Sequence, residues 1–201
     1  MSWIKVITIE EATGNLKRLY NKIKGPNNQI DNVLSIHSLR PHTLVGHMSL
    51  YKNTLHHKNN TFPNWFLEFL GSYTSYINKC DYCYKHHVEG MKRFLNNNEK
   101  SKKLKKHIES NTLELYLSER EYALINYAKK LTLQMHTLHK EDIECLKKFG
   151  YSDGELLEIN QVVSYFNYVN RTVLGLGVNL GNEVRGLSPN NKNDDNLWIH
   201  Q

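Results

Sequence analysis

Glu68, Cys80, Cys83 and His87 are the residues of this 201-residue chain whose types and spacing could do chemistry. In the pattern Glu-x11-Cys-x-x-Cys-x3-His, the two thiols stand one helical turn apart and the imidazole one turn beyond the second. On a helix, positions i, i+3 and i+4 share a face, so thiol, thiol and base are neighbours. The thiolate is the reactive form of cysteine. A thiol at the first turn of a helix is favoured as the anion by unpaired backbone N–H groups and the positive end of the dipole. Nearby Lys79 and a protonated histidine act in the same direction. A thiolate attacks a peroxide or a disulfide, and a second thiol in reach closes a disulfide and expels the product. A carboxylate able to orient the base completes the parts of a reversible thiol–disulfide site.

Rival readings of the same residues differ in what they require. A c-type haem attachment needs histidine directly after the second cysteine, where Tyr84 stands. A thioredoxin-like motif belongs in a strand–helix context, and no segment shows that rhythm. Structural zinc takes four ligands; Cys80, Cys83 and His87 offer three, with Glu68 or His86 as a fourth, but there is no second cysteine pair. Two buried structural thiols are the plainest alternative. Against it, Lys79, Asp81, Lys85, His86 and His87 make the surroundings polar. The third cysteine, Cys145, occupies an ordinary position on an amphipathic helix, and three cysteines make no disulfide framework.

The elements that must position these residues are helical nearly throughout. Thr8 with Glu11 predicts a capped first helix through Leu16, Leu19 and Tyr20, stopped at Gly25-Pro26. Pro41 and Pro63 suit the first turns of two further helices, the second running from Trp65 to Ile77. A helix opening near Lys79 or Cys80 runs through Val88, Met91 and Leu95 to an Asn-rich break. Capping boxes Ser118/Glu121 and Ser152/Glu155 start two more, with another opening at Thr137 or His139 and ending at Gly150. Gly175-Leu176-Gly177 closes the last and, ending a helix, is no dinucleotide fingerprint. The expectation is an all-α bundle of seven to nine helices in one domain, residues 1–187. A flexible Asn/Asp-rich tail, residues 188–201, follows, with Trp198 near its end.

A 39% apolar content spread along the chain describes a folded protein, and no run approaches the roughly 18 apolar residues of a membrane helix. The N-terminus lacks a secretory pattern, so the cytoplasm is expected. The net charge of +6 gathers in Lys100, Lys102, Lys103, Lys105 and Lys106. Without interleaved aromatics or a nucleic-acid-binding module, that run reads as a solvated loop or helix face. His37, His42 and His47 flank the Arg40-Pro41 turn in packing or capping roles, with lining a pocket or chelating a metal as the alternatives. His56-His57 beside Lys58 reads as an exposed helix end. Arg171, in an otherwise apolar helix, needs a partner if buried, a subunit contact being the simplest.

Beyond the four-residue constellation, the segments Gly154-Glu155-Leu156-Leu157-Glu158-Ile159 and Ser164-Tyr165-Phe166-Asn167-Tyr168-Val169-Asn170-Arg171-Thr172-Val173-Leu174-Gly175 carry a specific likeness. The chain resembles the alkylhydroperoxidase D-like branch of the carboxymuconolactone decarboxylase superfamily, nearest its peroxidase-related members, from about Val33 to Leu180. The resemblance implies an all-α homo-oligomer whose cysteine pair reduces hydroperoxides without a bound cofactor. A dithiol donor such as a lipoylated protein would be the reductant. It implies Cys83 as the peroxidatic sulfur and Cys80 as the resolving, partner-facing one. His87 would be the base and Glu68 its orienting carboxylate. Characterised peroxidases of the family carry histidine before the second cysteine, where this chain has Tyr82. A phenol of pKa near 10 is no base at neutral pH, so Tyr82 and His86 are auxiliary expectations only.

Overall fold

Apolar residues at helical spacing decide the architecture. The computed structural model describes residues 2–188, which form nine α-helices and no strand. They are α1 Gly14–Ile23, α2 Asn32–Ser35, α3 Pro41–Leu55, α4 Asn64–Ile77, α5 Asp81–Leu95, α6 Asn98–Glu109, α7 Glu119–Leu133, α8 Lys140–Lys148 and α9 Asp153–Gly175. The expected all-α bundle is therefore present.

Helix α4 is the axis of the fold. Every residue from Phe66 to Ser75 is buried, the pattern of a helix covered on all sides. It packs most extensively on α5, and then on α9. The approach of α9 depends on Gly71, where an added Cβ would stand 2.1 Å from the Phe166 ring. Helices α3 and α7 cover α9 on other sides, and α1 packs on α3. Its Leu16, Leu19, Tyr20 and Ile23 extend the buried core upstream of Val33.

Sequence signals placed most starts. Both expected capping boxes form, Ser118 with Glu121 and Ser152 with Glu155, and Pro41 and Pro63 stand at helix starts. The first helix is an exception. Thr8 and Glu11 do bond reciprocally, at 3.0 and 3.3 Å, but they close a single turn. Extended Thr13 and Gly14 at φ +52° then redirect the chain, and α1 starts only there. The lysine run is a helix face: Asn97 caps α6, Leu104 and Ile108 turn inward, and Lys103 and Lys105 pair outward with Glu99 and Glu109. Of the expected tail, Ser188 is buried; residues 189–201, Trp198 included, lie outside the described residues.

Candidate active site

The turn from α4 into α5 places both sulfurs. Asn78 and Lys79 end α4, with Lys79 in the left-handed region at φ +60°. The amide of Lys79 donates to the Tyr76 carbonyl at 3.0 Å, and that of Cys80 reaches back to Ser75 at 2.9 Å. This is a Schellman-type closure. Cys80 is then the N-cap of α5, so one residue both finishes α4 and starts α5. Cys83 follows one turn on, and the sulfurs lie 3.1 Å apart as free thiols. Lys79 itself does not reach them, since its ammonium sits 5.5 Å above the Tyr76 ring.

The two sulfurs are electrostatically unlike. The Cys83 S–H bond, with the Cys83 backbone amide, pulls the Cys80 thiol below its usual range. Burial, reinforced by the neighbouring Cys80, pushes Cys83 well above it. The pair therefore gives up one proton readily and a second only with difficulty, and the resting anion favours Cys80. Access runs the other way. Cys80 has 0% exposure, while Cys83, 3% exposed, lines a cavity of about 50 Å³ together with Glu68, His87, Tyr51 and Tyr165. That is room for a few waters, each needing at least about 10–15 Å³. The expected partner-facing Cys80 is thus sealed within this chain.

Glu68, on buried α4, crosses to α5. Its Oε2 lies 2.7 Å from His87 Nδ1, and the approach needs Gly90, where a Cβ would meet that oxygen at 2.6 Å. A carboxylate only accepts, so Nδ1 carries the hydrogen and, in the neutral ring, Nε2 is left with a lone pair. The ring is fixed edge-on to Phe166, with centroids 4.5 Å apart at 88°. Glu68 of α4 thus meets Cys83 and His87 of α5 at one cavity, a meeting that helical spacing implies only for the last two. Tyr51 and Tyr165 are held as neutral phenols there, because burial raises both well above the ordinary tyrosine value.

The auxiliary residues Tyr82 and His86 also line the cavity but bond to Val33 and Glu183. Tyr82 accepts from the Val33 amide at 3.1 Å and is bonded to Glu183. Burial raises its hydroxyl well above the usual tyrosine range, so it is no base. His86 stacks on Tyr82, centroids 4.6 Å apart, and its Nε2 lies 3.2 Å from Glu183. Its side chain is 11% exposed, at the cavity wall. Glu183 also accepts from Asn32 at 2.8 Å, so these contacts dock the C-terminal segment beside the cavity. Among the described residues no three His, Cys, Asp or Glu side chains form a metal-ligand set, so the zinc reading gains no geometric support. His47 does line the cavity, and His37 pairs with Thr43 at 2.8 Å. Arg171 is exposed and bonds to Asn167 on its own helix.

Two site residues were not found from sequence. His56 is buried, not an exposed helix end: its Nε2 stands 3.5 Å from Glu68 Oε1, so the carboxylate is flanked by two imidazoles. Asn170, buried on α9, bonds to Asn78 and Ser75 beside the α4–α5 turn. The signal for it was a polar residue on the apolar stripe of α9, seven after Val163 and three before Val173.

No protein-family model matches the chain, and no curated protein matches it significantly. Solved structures match its fold. One is an alkylhydroperoxidase AhpD-core, uncharacterized peroxidase-related protein from Ralstonia eutropha JMP134, at TM-score 0.75 and 18% identity, covering 90% of this chain and 93% of that one. A peroxidase-related protein from Silicibacter sp. TM1040 aligns at TM-score 0.68 and 20% identity over 78% and 79% of the two chains. An Agrobacterium tumefaciens protein of unknown function, described as a candidate antioxidant-defence AhpD, gives TM-score 0.60 at 20% identity, over 74% of this chain and 97% of its own. The class is settled at the level of architecture: this chain has the AhpD-like all-α fold that its motifs led one to expect.

Proposed function

We propose that the chain is a thiol-dependent, peroxidase-like oxidoreductase that reduces hydroperoxides through a reversible Cys80–Cys83 disulfide. The observation that carries this reading is the meeting of Cys83, His87 and Glu68 at one cavity, with Cys80 Sγ 3.1 Å behind Cys83 Sγ. The dithiol gives its first proton to His87 Nε2, directly or through a cavity water, and Glu68 balances the imidazolium. The Cys83 thiolate attacks the outer peroxide oxygen; an S–O bond forms, the O–O bond breaks, and the alkoxide takes the proton back from His87. Cys80 then attacks the sulfenic acid, giving the disulfide and water. A dithiol donor, a lipoyl-type protein in this reading, restores both thiols by exchange. Homo-oligomeric assembly and a cytoplasmic setting, where thiols stay reduced, belong to the same proposal.

The complete burial of Cys80 favours a second reading, a redox sensor oxidised once and not recycled. Steady-state consumption of hydrogen peroxide with dihydrolipoamide separates the two. Continued turnover, lost in both Cys80→Ser and Cys83→Ser, is expected for the enzyme. One equivalent consumed without turnover is the sensor's behaviour, and no oxidation at all sinks both.

A further inference from the structure

Among the described residues the chain makes no helix after α9, yet residues 183–187 are fixed on both flanks. The Glu183 carboxylate accepts from the Asn32 amide at 2.8 Å, and its Oε1 lies 3.2 Å from His86 Nε2. The Val184 amide donates to Gln29 Oε1 at 2.9 Å, and Arg93 Nη1 donates to the Gly186 carbonyl at 3.3 Å. These bonds offset the backbone entropy lost in ordering an irregular segment. Gly186 stands at φ +76°, and an added Cβ there would meet the backbone of Glu89 and Gly90 at 2.8 Å. Glycine both permits that conformation and lets the segment lie close on α5. What the segment covers is the site: Gly186 and Leu187 form part of the wall of the cavity that Cys83 and His87 also line.

We propose that residues 183–187 set the size limit of this site, with Leu187 as a specificity-determining side chain, and that its substrates are small hydroperoxides, hydrogen peroxide above all. The proposal rests on the thiol-peroxidase reading above. The cavity of about 50 Å³ falls far short of the roughly 300–1,000 Å³ of sites that enclose drug-sized organic molecules. Hydrogen peroxide takes the room of about two waters and fits. An aryl-alkyl or fatty-acyl hydroperoxide must also bring its carbon skeleton up to Cys83, because the alkoxide is still beside the sulfur when the O–O bond breaks. The other walls include helices of the core, with Tyr51 on α3, Glu68 on α4 and Tyr165 on α9. Close-packed walls of that kind yield little to a larger ligand. Residues 183–187 are held by a few polar bonds, with no helix of their own, so this is where a substitution can widen the enclosure. Leu187 brings an apolar side chain to the wall and no chemistry of its own.

The test is single-turnover oxidation of the full chain by hydrogen peroxide and by cumene hydroperoxide, each rate divided by that of the same peroxide with a free thiolate in solution. Alongside it, alkylation of Cys83 by iodoacetamide is compared with that by a bulky aryl maleimide, resolved by peptide mass. In the wild type the smaller reagent of each pair is expected to win by about tenfold or more, the scale on which pockets discriminate by size. Leu187→Ala is expected to narrow both gaps severalfold. Gly186→Ala, whose methyl group must lift the segment off α5, should narrow them too and serves if Leu187→Ala does not fold. A wild type that takes both sizes equally, or gaps unchanged in the folded variants, overturns the proposal. Wild-type protein inert to both peroxides would overturn the reading of the site instead, and the alkylation ratio still decides whether this segment limits access to Cys83.

Discussion

A methyl group added at Gly90 would press on Glu68 Oε2, the oxygen that holds His87. Gly90→Ala is therefore expected to displace the carboxylate. Overpacking of this kind costs about 1–3 kcal/mol, measurable by urea denaturation, and peroxide oxidation should slow with it. Glu68→Gln is a milder change, leaving the side chain's volume while removing its charge. It should slow single-turnover oxidation by roughly 100-fold, the usual scale for a disabled acid–base partner, with both thiols still titratable. Stopped-flow measurement of disulfide formation checks each. Cys83 and His87 were legible as a pair because i and i+4 share a helix face, whereas Glu68 joins them from α4 and Cys80 stands at the N-cap of α5. His56 was not, since a histidine pair beside Lys58 looks solvated until α5 folds across it and adds Phe94 to its surroundings. Asn170 was visible only as an oddity in an apolar stripe, because its partners come from the C-terminal end of α4, more than 90 residues earlier.

Helix boundaries were legible wherever a side chain caps its own backbone. Ser118 and Ser152 meet their glutamates within three residues, so no tertiary information is needed. Ser152→Ala is expected to cost about 1 kcal/mol by thermal or chemical denaturation, the usual value of a lost N-cap. The α4–α5 turn carries a different kind of cost. Lys79 sits at φ +60°, a conformation that disfavours side chains with a Cβ by roughly 1–2 kcal/mol. Lys79→Gly should thus stabilise the protein by about 1 kcal/mol, net of the glycine's greater unfolded-state freedom. Because its ammonium lies over Tyr76, not on the sulfurs, the substitution should leave thiol reactivity unaltered. A large change in peroxide rate would show that charge at this turn matters after all. The late start of α1 was hidden for a physical reason. The Thr8–Glu11 pair satisfies its own turn, and nothing local announces that Thr13 is extended.

At the scale of the molecule, the buried interior is rich in phenols. Tyr51, Tyr82 and Tyr165 are each raised well above the ordinary tyrosine value, chiefly by burial, and Tyr73 reaches about 12. A folded-state value above the unfolded one means stability is complete below about pH 10 and is lost as pH rises past it, when the unfolded chain ionises first. The loss should approach about 1.4 kcal/mol per pH unit for each such tyrosine. Tyrosinate absorbance and helical circular dichroism should therefore change together in one alkaline transition; early, gradual tyrosinate formation in a fully helical protein would contradict the burial. The fold gathers α4, α5 and α9 so that one thiol meets a base at a small cavity while its partner waits behind it. The most direct trial is peptide mass mapping after one equivalent of hydrogen peroxide. The account predicts a single disulfide joining Cys80 to Cys83, with sulfenic acid trapped on Cys83 in Cys80→Ser. Two unmodified thiols, or first oxidation at exposed Cys145, would contradict it.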